Sequence, residues 1–116
     1  FYLPDQKGRF TRLQSVVSTL PASFAGKSYC ADIHYSPDGR FLYASNRGHN
    51  SITIYKVNTV TMTPEVVGWM SDTINWPRNF TIDSSGHFLL VANQKADEIT
   101  IYEIDCATGL LKYTGH

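Results

Sequence analysis

The chain has 116 residues, ten basic and ten acidic, so its formal net charge is zero and no basic stripe is available to hold a phosphate backbone or an anionic membrane. Apolar residues make up 42% and aromatics 13%, which argues against disorder and, with many β-branched residues, favours strands over helices.

From the N-terminus, Phe1-Tyr2 reads as the end of a strand, Pro4–Gly8 as a turn and Phe10–Val17 as the next strand. A loop over Ser18–Ser28, containing Pro21 and Gly26, leads onward. A short strand, Asp32–Tyr35, then meets Ser36-Pro37-Asp38-Gly39, where Pro at the second position and Gly at the fourth suit a type I turn. Phe41–Ser45 is apolar enough to be buried on both faces, Asn46–Asn50 reads as a polar loop, and strands follow over Ile52–Val57 and Val66–Met70. The succession then recurs as Asn79–Ile82, Asp83–Gly86, Phe88–Ala92, Asn93–Asp97, Ile99–Ile104 and Leu111–Thr114. No segment keeps a helical period over about 11 residues.

The recurrence is a true repeat. At a shift of 47 residues, 31–69 falls on 78–116 without a gap: Gly39 on Gly86, Phe41-Leu42 on Phe88-Leu89, Asn46 on Asn93, and Ile52-Thr53-Ile54-Tyr55 on Ile99-Thr100-Ile101-Tyr102. A strand-rich period in the forties is the signature of propeller blades. The fold class expected is all-β, a β-propeller fragment: two four-stranded antiparallel blades plus the outer strands of a preceding one. The units are 1–28, the end of that preceding blade with its connecting loop, then complete blades at 29–71 and 72–116. Because a blade buries both faces, two blades leave two apolar faces open. The remaining blades of a ring, or other copies of the chain, are the partners this predicts.

Strand order assigns positions to rims. The starts of first strands and the loops between second and third strands share one rim, and first strands lie innermost. That places Asp32, His34, Arg47, His49, Arg78, Asn79, Gln94 and Lys95 around one polar mouth, whereas Asp38, Arg40 and His87 lie on the opposite rim as solvated turn residues. Arg47 and Arg78 can bind an anion, or can simply pair with a carboxylate. Asp32 and His34, two apart on a strand, point the same way; they form either a base oriented by a carboxylate or a hydrogen-bonded tie between blades. His49 and Asn79 are candidate substrate contacts, while Gln94 and Lys95 read as solvated loop. Asn79-Phe80-Thr81 is a sequon on an inner strand and is not expected to be glycosylated.

Several chemistries lack their residues. Cys30 and Cys106 make no CxxC pair and have no His set nearby, so they read as free, mostly buried thiols; neither a metal nor a cofactor is expected. There is no GxSxG motif and no phosphate-binding glycine loop. The N-terminal FYLPDQKGRF has no signal-peptide apolar stretch, and no run approaches the ~20 residues of a membrane span. A soluble chain is expected, with the cytoplasm favoured.

The strings ADIHYSPDGRFLYASNRGHNSITIYKV and PRNFTIDSSGHFLLVANQKADEITIYEID are similar to the C-terminal blades of the lactonase family, which includes propeller-type 6-phosphogluconolactonases and fungal carboxymuconate lactonizing enzyme. The resemblance runs from VVSTLP through LLKYTGH and implies a seven-bladed ring of which this chain is about a third. It further implies opening of a sugar lactone, a small anionic substrate, without a metal. Arg47 matches the arginine of the family's SNRG-like motif, counted among its proposed active-site residues; the His and Glu proposed alongside it lie on earlier blades and have no counterpart here. Arg47 and His34 are thus the catalytic candidates, with Arg78, His49, Asp32 and Asn79 as substrate-binding ones. Propellers also serve as binding platforms, so a non-catalytic ligand- or protein-binding module is the alternative.

Overall fold

The computed structural model describes residues 2–12 and 16–116, and every regular element among them is a β-strand. A hairpin comes first: β1 (Tyr2–Pro4) and β2 (Phe10–Arg12), antiparallel with Tyr2 opposite Arg12. One four-stranded sheet holds β3 (Tyr29–Tyr35), β4 (Phe41–Arg47), β5 (Ser51–Val57) and β6 (Pro64–Met70). The other holds β7 (Pro77–Ile82), β8 (Phe88–Asn93), β9 (Glu98–Ile104) and β10 (Leu111–Tyr113). Within each sheet the strands lie in chain order with antiparallel neighbours, the meander of a propeller blade. The strand expected over Phe10–Val17 is shorter: β2 stops at Arg12, residues 13–15 lie outside the described residues, and Val16 and Val17 are not in a strand. Phe1, expected to belong to the first strand, also lies outside them.

The turns close as their residues demand. Gly39 and Gly86 donate to the carbonyls of Ser36 and Asp83 at 2.8 and 2.9 Å, and both glycines sit at φ near +70° (71° and 75°), where a Cβ would be strained. The Asp83 carboxylate also accepts from the amides of His87 (2.9 Å) and Phe88 (2.8 Å); a hydrogen bond from Ser85 and these amides bring its pKa down to about 2.

The core lies between the blades. Phe41, Tyr43, Ile52 and Ile54 from blade one meet Phe80, Leu89, Val91, Tyr102, Ile104 and Leu111 from blade two. On the other face of blade one, Leu42, Ala44, Tyr55 and Val57 pack with Val17 and Val66. The repeat shows what is left uncovered. Ile52 is 0% exposed and its counterpart Ile99 is 62%; Phe41 is 2% exposed and its counterpart Phe88 is 42%. Fully burying one such side chain contributes about 1.5–3 kcal/mol, so the outer face of blade two forgoes several kcal/mol while it stays wet.

Polar groups fix how each blade meets the connector before it. Asn46 donates to the Thr19 carbonyl (3.0 Å), as do the Thr53 hydroxyl (2.5 Å) and the Trp69 indole (3.0 Å), and Tyr55 Oη donates to the Ser18 carbonyl at 3.0 Å. One repeat later, Asn93 donates to the Thr73 carbonyl (3.4 Å) and to Thr100 Oγ1 (2.9 Å), and Tyr102 Oη donates to the Asp72 carbonyl at 2.8 Å. Asn46, Thr53, Asn93, Thr100 and both tyrosines are buried, and this burial pushes the Tyr55 phenol up to about 12.

Two expectations fail here. Asn46 is not a loop residue but a strand residue that is 0% exposed, because the two N–H groups of its carboxamide find partners among the Thr19 carbonyl and the Ser51 and Thr53 hydroxyls. The cysteines are free but exposed, not buried: Cys30 lies on β3, six of whose seven residues are exposed, and Cys106 lies in the turn after β9.

Two outcomes are expected. In size-exclusion chromatography with light scattering, the 116-residue chain alone should run above its monomer mass, driven by the open face around Ile99 and Phe88. Tyr102→Phe strips a buried hydroxyl from the Asp72 carbonyl and should lower unfolding free energy by about 1–2 kcal/mol in denaturant titrations of the intact protein.

Candidate functional site

The candidate residues gather where β3 and β7 begin and β4 and β8 end. Both first strands carry a one-residue bulge at this point, between Cys30 and Ile33 and between Pro77 and Asn79. A bulge leaves a residue outside the ladder and turns its side chain, which frees Asp32 and Arg78 to aim away from their sheets. Asp32 remains anchored, its amide donating to Ser45 Oγ at 3.0 Å.

The Asp32 carboxylate is the most heavily used acceptor on this rim. Its Oδ2 lies 3.0 Å from His34 Nε2, 2.5 Å from Asn79 Nδ2 and 3.2 Å from the Phe80 amide nitrogen, while Oδ1 accepts from the Ile33 amide at 2.9 Å. Partial burial pushes its pKa up, but the Phe80 amide, His34 and the Ile33 amide together outweigh burial and hold it below the usual carboxylate value. An ionised carboxylate only accepts, so His34 Nε2 carries the proton and Nδ1 is the imidazole's basic nitrogen. The ring stands edge-on to Phe80, with centroids 4.9 Å apart.

Arg47 closes β4 opposite Tyr29, the first residue of β3. Its Nη2 donates to the Cys30 carbonyl at 3.1 Å, and its Nε is buried without a partner. Among the described residues no carboxylate lies within ion-pair distance of it. The next residue, Gly48, has φ of +101° and sits so close to the Lys27 carbonyl that a Cβ would come within 2.3 Å of that oxygen. His49 turns away from Asp32: Nδ1 meets Ser51 Oγ at 2.6 Å and the ring packs edge-on against Phe24 at 4.7 Å. Arg78 reaches Gln94 Oε1 at a weak 3.5 Å.

The structure therefore forms three groups with no hydrogen bond joining them: Asp32, His34 and Asn79; Arg47 and His49 beside Ser28 and Cys30; and Arg78 with Gln94. Lys95, expected as plain solvated loop, lies 3.5 Å from the centroid of the Trp76 ring. Trp76 itself has φ of +58°, and its amide donates to Asn50 Oδ1 at 3.0 Å, so the two blade rims are stitched together there. Ser45, Asn50 and Trp76 were missed as support for the site; Asn50 and Asp97, one repeat apart and both in the left-handed region (φ 55° and 52°), carried a sequence signal in their small polar side chains. Among the described residues, no three His, Cys, Asp or Glu side chains come close enough to hold a metal.

A cleft of about 720 Å³ is lined by Arg78, Asn79, Gln94, Asp97, Glu98 and Ile99. On blade one the counterparts of these positions are covered by blade two, with Asn79 and Phe80 against Asp32 and Trp76 against Asn50. The cleft is therefore the position that blade two covers one repeat earlier, and it is open rather than enclosed.

A family model described as "Lactonase, 7-bladed beta-propeller" matches residues 1–116. A 6-phosphogluconolactonase of Serratia proteamaculans is 41% identical over 96% of the chain and 33% of its own length. The crystal structure of a Lactobacillus plantarum protein superposes with a TM-score of 0.88 at 34% identity, over 97% of this chain and 33% of that one. The periplasmic gluconolactonase of Pseudomonas aeruginosa superposes with a TM-score of 0.86 at 32% identity, over 97% and 31%. The chain thus spans about a third of each of these three proteins.

The Asp32 bonds have a definite pH signature. With a pKa lowered in the fold, their contribution is complete above the ordinary value of 3.8 and is lost as pH falls through the lowered one. The stability gap between the intact protein and its Asp32→Asn variant should be constant near neutrality and shrink below about pH 4, as read by denaturant titration.

Proposed function

The chain belongs to the lactonase family of seven-bladed β-propellers, and on that premise we propose that the protein carrying it hydrolyses a sugar lactone, 6-phosphogluconolactone. The units 1–28, 29–71 and 72–116 are then successive portions of one ring, and the other blades supply the rest of the active site. The observation that carries this reading is Arg47: among the described residues its guanidinium at the rim is bonded only to a carbonyl, with no carboxylate to neutralise it. An arginine serving as structural support is normally paired; one left uncompensated suits an anionic ligand, and its fork matches a phosphate or carboxylate.

Lactone opening needs an activated water, a stabilised oxyanion and a proton for the departing ring oxygen. In this reading Arg47 holds the anionic substrate and the charge developing on its carbonyl oxygen. Arg78, joined only weakly to Gln94, and His49 add contacts to the same anion. His34, with Nε2 held by Asp32, is the base that takes a proton from water at Nδ1 and passes it to the departing ring oxygen as the C–O bond breaks. The cytoplasm is the compartment proposed, although the Pseudomonas aeruginosa gluconolactonase is periplasmic.

Arg47→Ala in the intact protein should lower kcat/KM on 6-phosphogluconolactone by about 10²-fold or more, measured by proton release at fixed pH. Arg47→Lys should recover only part, since a point charge replaces the bidentate fork. Activity unchanged in both variants would remove Arg47 from the site. Absence of lactonase activity in the intact protein, with retained binding of the sugar acid, would favour the non-catalytic binding module.

A further inference from the structure

We propose that Asp32 and Asn79 do not touch substrate but form a positioning device, in which one carboxylate both sets the proton of His34 and locks blade two against blade one. The inference rests on the lactonase reading for its kinetic consequences, while its structural content stands apart from that reading.

The argument is one of capacity. A carboxylate oxygen has two lone-pair directions. Asp32 Oδ2 already faces three donors: the imidazole on its own strand, and the Asn79 carboxamide and Phe80 amide on the neighbouring blade. Oδ1 accepts from the Ile33 amide. Oδ2, the oxygen shared by His34 and blade two, therefore keeps no acceptor capacity for a substrate hydroxyl, Oδ1 keeps one direction beside the Ile33 amide, and Asn79 directs its amide at Asp32. Both residues are also repeat counterparts, 47 positions apart, so the same site on successive blades carries the acceptor on one and the donor on the next.

The neighbourhood supplies no competing charge for His34. On β4, Tyr43 lies opposite it, but its hydroxyl donates across the core to the Gly109 carbonyl at 2.9 Å. Arg47 is committed to the Cys30 carbonyl, and on β7 Arg78 faces Gln94. Among the described residues Asp32 is thus the only ionised group in contact with the ring, and the imidazole orientation follows the docking of blade two. If the blades separate, Oδ2 loses two of its three donors and the ring loses its support against Phe80.

The test uses the intact protein with ¹⁵N-labelled histidine, assigned with a His34→Gln variant, alongside kinetics on 6-phosphogluconolactone. The native protein should show His34 as a single tautomer protonated at Nε2. Asp32→Asn should give mixed tautomers and lower kcat about tenfold or more, with KM changed by less than about twofold. The exchange Asp32→Asn with Asn79→Asp restores an acceptor–donor pair between the blades but leaves an amide beside His34. It should recover most of the lost Tm while kcat stays low and the tautomers stay mixed. Asn79→Ala should lower Tm and leave the Nε2 tautomer in place, which keeps the test available if Asp32→Asn fails to fold. Full recovery of kcat in the exchange variant would reduce Asp32 to a blade tie and overturn the proposal. A large rise in KM at constant kcat for Asp32→Asn or Asn79→Ala would show substrate contact and overturn it as well. Should the intact protein prove inactive on lactones, the tautomer spectra still decide, because an unchanged His34 signal in Asp32→Asn refutes the device whatever the reaction.

Discussion

Everything at the rim depends on the way each blade grips the strand connector that precedes it. The connector is irregular chain whose carbonyls, at Ser18 and Thr19 and again at Asp72 and Thr73, would be costly to bury unpaired. The blade answers with Asn, Thr and Tyr set into otherwise apolar strands, and these donors fix the connector's height and register against the sheet. Hydrophobic packing by itself would let one sheet slide on the next; directional bonds to named carbonyls do not. The rim residues inherit their positions from that register. Asp32 can meet Asn79 only because blade two is seated at one height.

The same logic separates what was legible in the sequence from what was not. The repeat exposed the fold, because Gly39 and Gly86 recur where a left-handed turn is needed and Phe41-Leu42 recurs where strands must be apolar. Asn46 was misread because polarity alone suggests a loop. Its identity with Asn93, both followed seven residues later by Thr, was the available sign that it is a buried donor rather than a solvated one. The thiols failed for a different reason: a residue's average burial says nothing of Cys30 on an open edge strand or of Cys106 in a turn. Within the candidate site, the Asp32–His34 pairing was readable from its i, i+2 spacing. The shared use of Asp32 by Asn79 and Phe80 was not, since it arises between blades and depends on a bulge.

Electrostatics on this rim divide by function. Asp32 Oδ2 is saturated with donors and its charge is spent on the fold. Arg47 is the opposite case, holding one carbonyl while its charge meets no carboxylate. A site for an anion needs that asymmetry, since a rim whose charges all cancelled internally would have nothing left for a ligand. Gly48 serves the same end by letting the loop after Arg47 press against the Lys27 carbonyl, where any side chain would push the arginine's backbone aside.

The grip on the connector also imposes a direction on assembly. Ser18 comes 37 residues before Tyr55, and Asp72 comes 30 before Tyr102, so each carbonyl leaves the ribosome ahead of the strands that will clasp it. In these bonds each blade grips a connector already made. Growth of such a structure can follow synthesis step by step, with short sequence separations keeping each addition fast. What remains for the end is the meeting of the first blade with the last, the one long-range event in a ring otherwise built from neighbours.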